Sequence, residues 1–412
     1  MTDLTEGTAV ADAELLALFS DLDTRANPYP SYQRIREASP IHRSEMLPMW
    51  VVTRYQDCGT VLRDNRFGKG DGTSRIFGNP AEADDPDRQV PLLSNDSMLR
   101  KNPPDHTRLR GLVSREFTPR RVEQLRPAIT DMVNQHLDHL AESGGGDVMD
   151  VLAFPLPVQV IGELLGVPES DREQFRYLVR DAAAALEPMV DAATADKARA
   201  ASQEMTDYFT GLIAQRRQHP SDDLISALLE VQEEGDRLND DELIATIILI
   251  FAAGFETTTN LIGNGLVTLL RNRDQLDLLR WRPDLAHSAV EEMLRYESSV
   301  QLDARIALEP ADIDGCDIAE GDVVLTMLGA ANRDPDRYDN PDRFDITRTG
   351  IQHLSFAAGI HFCLGAPLAR LEGEIVFNEL LRRFPNIDGD TDAPWRPSLT
   401  LRGLETLDVT VS

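Results

Sequence analysis

Phe356-Ala-Ala-Gly359-Ile-His361-Phe-Cys363-Leu-Gly365-Ala-Pro-Leu-Ala-Arg370 sets one cysteine in a loop of small residues, and the apolar spacing of 366–384 predicts a helix directly after it. A cysteine that binds a metal does so as the thiolate, which must be ionised, shielded and approached closely by backbone N–H groups. Gly359 and Gly365 let the backbone come close, and the start of the following helix adds positive potential at the sulfur. The other cysteines, Cys58 and Cys316, are far away and form no C-x-x-C pair, so neither a disulfide framework nor a zinc finger is supported. One thiolate alone suits a haem iron, which takes four further ligands from its porphyrin.

The loop resembles the haem-binding loop of the cytochrome P450 family, whose bacterial members read F-x-x-G-x-H-x-C-x-G. Phe356, Gly359, His361, Cys363 and Gly365 are all in register. Ala357 stands where the family usually has Gly, which bears only on the tightness of that turn. A cysteine without this frame would read as a small buried hydrophobe.

A second stretch, Ala252-Ala-Gly254-Phe-Glu256-Thr257-Thr-Thr-Asn260, falls inside a long predicted helix that begins at the N-cap Asn239 and runs to about Arg271. Three threonines and an acid after an apolar run break helix propensity, and such breaks mark functional positions. The stretch is similar to the family's [AG]-G-x-[DE]-T-[TS] on the central helix over the haem. The resemblance implies that Ala253 and Gly254 leave room for dioxygen and substrate, that Thr257 hydrogen-bonds bound dioxygen, and that Glu256 links it to a proton source. The plain alternative is a threonine hydroxyl bonded to the carbonyl one turn earlier. The acid–alcohol pair also argues against the peroxide-using branch of the family.

Glu292 and Arg295, at i and i+3 on one helix face, match the family's buried E-x-x-R pair. The resemblance implies that Arg343, in Asn340-Pro-Asp-Arg343-Phe344, completes the network and that the network holds the thiolate side of the pocket. The cofactor it implies is haem b, iron protoporphyrin IX, whose propionates need cationic partners. His106 and Arg110 in Pro103-Pro-Asp-His106-Thr-Arg-Leu-Arg110, Arg305 in the strand-like 300–307, and His361 are the expected partners. Gly68-Lys-Gly-Asp-Gly-Thr73 lacks the spacing of a phosphate-binding loop and reads as an ordinary loop.

Composition bounds the rest. The chain has 412 residues, 42% of them apolar, with no linker-like segment, so a single domain over 1–412 is expected. The net charge of −29 argues against nucleic acid as a partner. Against it stands a basic island, Arg100, Lys101, Arg108, Arg110, Arg115, Arg120, Arg121 and Arg126, which could steer an acidic partner. The N-terminus lacks the basic region of a signal peptide, and the longest charge-free apolar stretch, 243–255, is short of the ~20 residues that span a bilayer, so no membrane contact and a cytoplasmic location are expected.

Helical periodicity predicts helices over 29–37, 55–63, 105–117, 120–142, 158–165, 170–186, 192–218, 222–233 and 285–296, with strands over 41–43, 50–53, 323–327 and 406–411. The stretch 67–102 reads as irregular. The fold class is therefore mainly α with small antiparallel β-sheets, and the resemblance makes it the cytochrome P450 fold with its long central helix crossing the haem. The implied activity is a haem-thiolate monooxygenase that inserts one oxygen atom of O2 into a medium-sized, mostly apolar small molecule. No flavin or nicotinamide fingerprint is present, so electrons are expected from a separate ferredoxin and ferredoxin reductase. Leu93, Met98, Leu249, Ala252, Ala253, Val300, Gln301 and Leu399 are the expected substrate-pocket residues. Oxidative coupling or dehydrogenation on the same scaffold stays open, as does a haem-thiolate protein that binds a ligand without turnover. The Glu256–Thr257 pair argues against the last of these.

Overall fold

Asn239 begins the longest described helix, Asp240–Arg271, through a capping box: its side chain accepts from the Glu242 N–H at 2.8 Å and its own N–H donates to the Glu242 carboxylate at 3.2 Å. In the computed structural model, which describes residues 2–70, 94, 96–188, 190–233 and 238–412, this helix runs through the main hydrophobic core. From Ala245 to Leu270 every residue is buried except Ala253, Gly254 and Thr257. The helix is long and apolar enough to cross a membrane by length and composition, but 78% of the qualifying window is buried inside the protein.

The helices used below are, in order, α1 (Thr2–Ser20), α2 (Tyr29–Ala38), α3 (Tyr55–Arg63), α4 (Asp105–Ser114), α5 (Pro119–Gln124), α6 (Arg126–Ser143), α7 (Pro155–Leu165), α8 (Phe175–Ala183), α9 (Ala192–Gln218), α10 (Leu224–Glu233), α11 (Asp240–Arg271), α12 (Arg273–Trp281), α13 (Ala286–Tyr296) and α14 (Ala366–Arg383). The expected helix 120–142 is two helices that meet at Leu125, because Pro127, the second residue of α6, has no N–H to donate to the Glu123 carbonyl one turn back. The expected 170–186 is likewise split, into Glu169–Arg172, α8 and a short 3-10 turn. Helices α1 and α12 were not expected. Most of the irregular 67–102 lies outside the described residues.

Among the described residues, three small sheets accompany the helices. The largest has the order β1 (Ile41–Arg43), β2 (Met49–Val52), β8 (Val323–Met327), β5 (Leu302–Ala307) and β3 (Phe67–Gly68). One of its pairings departs from the antiparallel expectation: β2 runs parallel to β8, Met49 opposite Val323. The second sheet joins β4 (Gly145–Asp147), β10 (Asp408–Val411) and β9 (Ile387–Gly389). Its first strand belongs to the Ser143–Asp147 glycine run, which looks flexible in sequence. Gly145 has φ +141, and a Cβ there would lie 2.2 Å from the Val409 carbonyl oxygen, so close pairing with β10 needs glycine. A hairpin, β6 (Ala311–Ile313) and β7 (Cys316–Ile318), completes the set.

The main core surrounds α11. Phe251 meets Phe175 of α8 and Phe209 of α9 at ring-centroid distances of 4.6 and 5.5 Å, all three fully buried. Each such side chain contributes about 1.5–3 kcal/mol. Helix α14 packs on α11, α13 and α6, which brings the cysteine loop under the middle of α11.

Candidate functional site

The three positions between Ala245 and Leu270 that are not buried face a cavity of about 290 Å3. Ala253, Gly254 and Thr257 line it from the helix, and Phe356, Cys363 and Gly365 line it from the loop. The loop is held by its own backbone: Cys363 N–H donates to the Phe356 carbonyl at 2.9 Å and Ala357 N–H to the Leu354 carbonyl at 2.8 Å. Gly359 has φ +69, and a Cβ there would lie 2.2 Å from the Leu62 carbonyl oxygen, so α3 holds this turn against glycine alone. Ala357 also takes a left-handed φ of +54, at a cost of about 1–2 kcal/mol for a non-glycine residue.

Cys363 is exposed where it lines the cavity, yet burial by the surrounding chain pushes its thiol pKa up. The N–H groups of Gly365 and Ala366 and the guanidinium groups of Arg110 and Arg370 pull it back only in part. The bare sulfur is thus held as a thiol at neutral pH, and a metal cation on it would ionise it outright. Among the described residues no group of three or more His, Cys, Asp or Glu is gathered as a metal cage. A metal at Cys363 must therefore bring most of its ligands with it.

One wall of the cavity is cationic. His106 and Arg110 come from α4, Arg305 from β5, and His361 from the cysteine loop. The imidazoles of His106 and His361 lie 4.3 Å apart between ring centroids. Burial, then Arg110 and Arg305, lowers His106 to about 4; burial, then Arg305 and Lys69, lowers His361 to about 2. Arg110 donates to the Phe362 carbonyl, and Arg305 Nη2 pairs with Asp303 at 3.0 Å. Among the described residues, Arg305 Nη1 and His361 Nε2 are buried without any partner. Two orphan nitrogens beside a second arginine are a place for carboxylates, so the wall fits the propionates of a porphyrin and Cys363 fits its thiolate ligand. Sequence reasoning missed Lys69 here. It lies in the glycine-rich stretch read as a loop, but it is 9% exposed, lines the cavity and donates to Asp303 and to the Ala304 carbonyl. No local signal marks it, because its partners come from β5.

On the opposite wall, the Thr257 hydroxyl donates to the Ala253 carbonyl at 2.8 Å, the plain alternative for a mid-helix threonine. Glu256 does not line the cavity. It is buried and ion-paired with Arg396, which also donates to Asn260, while Glu256 Oε2 and Arg396 Nε have no partner. Gly254 lets α7 approach: a Cβ there would be 3.2 Å from Ile161 Cδ1.

Glu292 and Arg295 are both fully buried and bidentate, at 2.7 and 2.8 Å. Arg295 also donates to the carbonyls of Asn332 and Pro341, each at 2.9 Å. Asn332 in turn binds Leu354 N–H and Ser355 Oγ, which ties the pair to the root of the cysteine loop. The third cation is not Arg343. That side chain is exposed, and only its carbonyl accepts from Arg295; the guanidinium on Glu292 is that of Arg348, at 3.3 Å. The Arg343 backbone supplies the carbonyl, and the turn after it swings Arg348 back instead.

Of the expected pocket residues, Met98, Leu249, Ala253 and Val300 line the cavity, and Leu93 lies outside the described residues. Ala252, Gln301 and Leu399 do not line it. Ala252 faces the core one helical step from Ala253, Gln301 is turned to donate to the Ser298 carbonyl at 2.6 Å, and Leu399 packs with Tyr32 and Met327. Phe117, Ile161 and Ile250 line it instead, unannounced by sequence. In the basic island Arg108 is tied to Glu242 at 2.6 Å, whereas Arg115, Arg120 and Arg121 are exposed, Arg121 beside Glu116. Helices α5 and α6 both pack on α14, so this group borders the thiolate side.

The chain matches the model of the family described as Cytochrome P450 over residues 48–280 and 284–400. It is 41% identical to the polyketide biosynthesis cytochrome P450 PksS of Bacillus subtilis, covering 94% of this chain and 96% of that protein. It is also 41% identical to the 6-deoxyerythronolide B hydroxylase of Saccharopolyspora erythraea, covering 92% and 95%. Among solved structures, P450BioI in complex with hexadec-9Z-enoic acid ligated acyl carrier protein superposes with a TM-score of 0.88 at 39% identity, covering 95% of this chain and 99% of that one.

Proposed function

This chain belongs to the cytochrome P450 family and is a monooxygenase of that family, and from that premise we propose that it binds haem b through Cys363 and hydroxylates a medium-sized, mostly apolar molecule. The observation that carries the reading is the cavity itself: a single thiol and a hydroxyl-bearing helix share it with a wall that holds Arg110 and Arg305 and, among the described residues, two orphan nitrogens, Arg305 Nη1 and His361 Nε2. The haem, when bound, supplies dioxygen binding and activation, and a thiolate ligand favours cleavage of the O–O bond.

The chain's own residues do the rest. Arg110, Arg305, His106 and His361 hold the propionates. The Thr257 hydroxyl turns from the Ala253 carbonyl into the cavity and passes a proton from its Oγ1; general-acid help of this kind is worth roughly 10²–10⁴-fold. Glu256 relays that proton: when its hold on Arg396 loosens, its carboxylate takes a proton from water and passes it on to Thr257. Met98, Leu249, Ile161 and Val300 exclude water and receive an aliphatic substrate. The relatives' printed names, a polyketide biosynthesis cytochrome P450 and a 6-deoxyerythronolide B hydroxylase, support a small-molecule substrate.

Electrons come from a ferredoxin and its reductase, with Arg115, Arg120 and Arg121 as the docking cations, in a cytoplasmic, single-domain protein. Reversing Arg115 and Arg120 to Glu slows reduction by ferredoxin at low salt and flattens its salt dependence, read by stopped flow. The central test is Cys363→Ser. It abolishes the red-shifted carbon-monoxide band of the reduced protein, and a band that survives removes Cys363 as the ligand. Product analysis by mass separates hydroxylation, a gain of one oxygen, from coupling or dehydrogenation, a loss of two hydrogens.

A further inference from the structure

Asp303 lies between two cations on the cavity wall. One oxygen accepts from Lys69 Nζ at 2.5 Å and the other pairs with Arg305 Nη2 at 3.0 Å. Burial, then the nearby Arg305, pulls the Lys69 ammonium down to about 8, and Asp303 opposes that pull. Lys69 is thus still charged at neutral pH, although it is nine-tenths buried. Arg305 meanwhile keeps Nη1 buried and, among the described residues, unpartnered.

A buried pair of Asp303 with Arg305 alone would be complete. The carboxylate would neutralise the guanidinium, and an incoming anion would meet a like charge directly behind the arginine it approaches. A third charge changes the sum. Lys69, Asp303 and Arg305 together carry one net positive charge, and Arg110 carries another. Two net positive charges match the two carboxylates of one porphyrin.

We propose that Lys69 is a positioning residue of the cofactor site: it takes up the charge of Asp303 and so leaves Arg305 free to hold a cofactor carboxylate. The inference rests on the reading that this wall binds the propionates of haem. Lys69 itself has a carboxylate and a carbonyl as partners, so it acts through Arg305.

The test is the rate at which ferric holoprotein loses haem to excess apomyoglobin, followed at the Soret band, which needs no turnover. Lys69→Met should lose haem at least tenfold faster than the parent. The double variant Lys69→Met, Asp303→Asn removes the charge that Lys69 answers, and it should return to within about threefold of the parent rate. Asp303→Asn alone should lose haem no faster than the parent, which keeps the test open if Lys69→Met folds poorly. Arg305→Leu is the control and should lose haem at least tenfold faster. Parent-like loss from Lys69→Met, no rescue in the double variant, or tenfold faster loss from Asp303→Asn each overturns the proposal. Parent-like loss from Arg305→Leu instead overturns the reading of the wall as the propionate site.

Discussion

Glu292 meets Arg295 three residues along one helix, whereas Glu256 meets Arg396 across 140 residues, from α11 to the segment before β10. Both pairs are buried, but they are finished differently. The first pair is saturated: Glu292 also accepts from Asp345 N–H and Arg348, and Arg295 also donates to three carbonyls. The second pair leaves Glu256 Oε2 and Arg396 Nε without partners one residue from a cavity-lining threonine. A saturated buried network fixes geometry, and an unsaturated one retains capacity to accept or release a proton. The difference separates a scaffold for the thiolate loop from a candidate proton source.

Stability should separate them first. Breaking a buried, hydrogen-bonded pair by removing one partner costs about 3–5 kcal/mol. Glu292→Gln is therefore expected to lower the free energy of unfolding by that amount and to reduce haem incorporation, measured by chemical unfolding and by haem per chain. A variant with the parent's midpoint would erase the distinction, because the saturated pair would then hold nothing.

Glu256→Gln should cost less, about 1–3 kcal/mol, because Glu256 accepts from Arg396 through one oxygen, whereas Glu292 also holds the Asp345 N–H and Arg348. Its larger consequence is chemical. Product formed per NAD(P)H oxidised should fall roughly 10²-fold or more while substrate binding, read by the iron spin state, stays as in the parent. Undiminished coupling would place the proton source elsewhere and make the two pairs alike in kind.

What the sequence discloses follows the same divide. The cysteine loop, the Glu292–Arg295 spacing and the Asn239 capping box are all set within a few residues, so local pattern is enough to find them. Arg396 behind Glu256, Lys69 behind Asp303 and Arg348 in place of Arg343 depend on which distant backbone folds alongside, and no local period records that. The pocket wall shows the limit in miniature. Ala252 and Ala253 are neighbours, yet a helical step of about 100° puts one in the core and the other on the cavity. Likewise β4 forms from a glycine run that looks flexible in sequence, because β10 supplies the pairing from more than 260 residues away.

A third buried glutamate sharpens the comparison at its far end. Glu372 on α14 lines the cavity, is 2% exposed, and has an oxygen with no partner. Burial alone raises its pKa to about 8. A carboxyl whose folded pKa lies above its unfolded value stabilises the fold fully below the unfolded value, near 4.5, and that contribution is lost as pH rises through the folded one. Between pH 4.5 and 8 the native state holds a proton that the unfolded chain has released, so stability falls with rising pH by at most about 1.4 kcal/mol per pH unit. Glu372→Gln has no such proton to lose. Its stability relative to the parent should therefore rise from pH 5 to pH 8, seen as converging or crossing denaturation midpoints in a pH series. Parallel midpoints across that range would mean that Glu372 is ionised in the native state and has found a cation, which would move it beside Glu256 instead of beyond it.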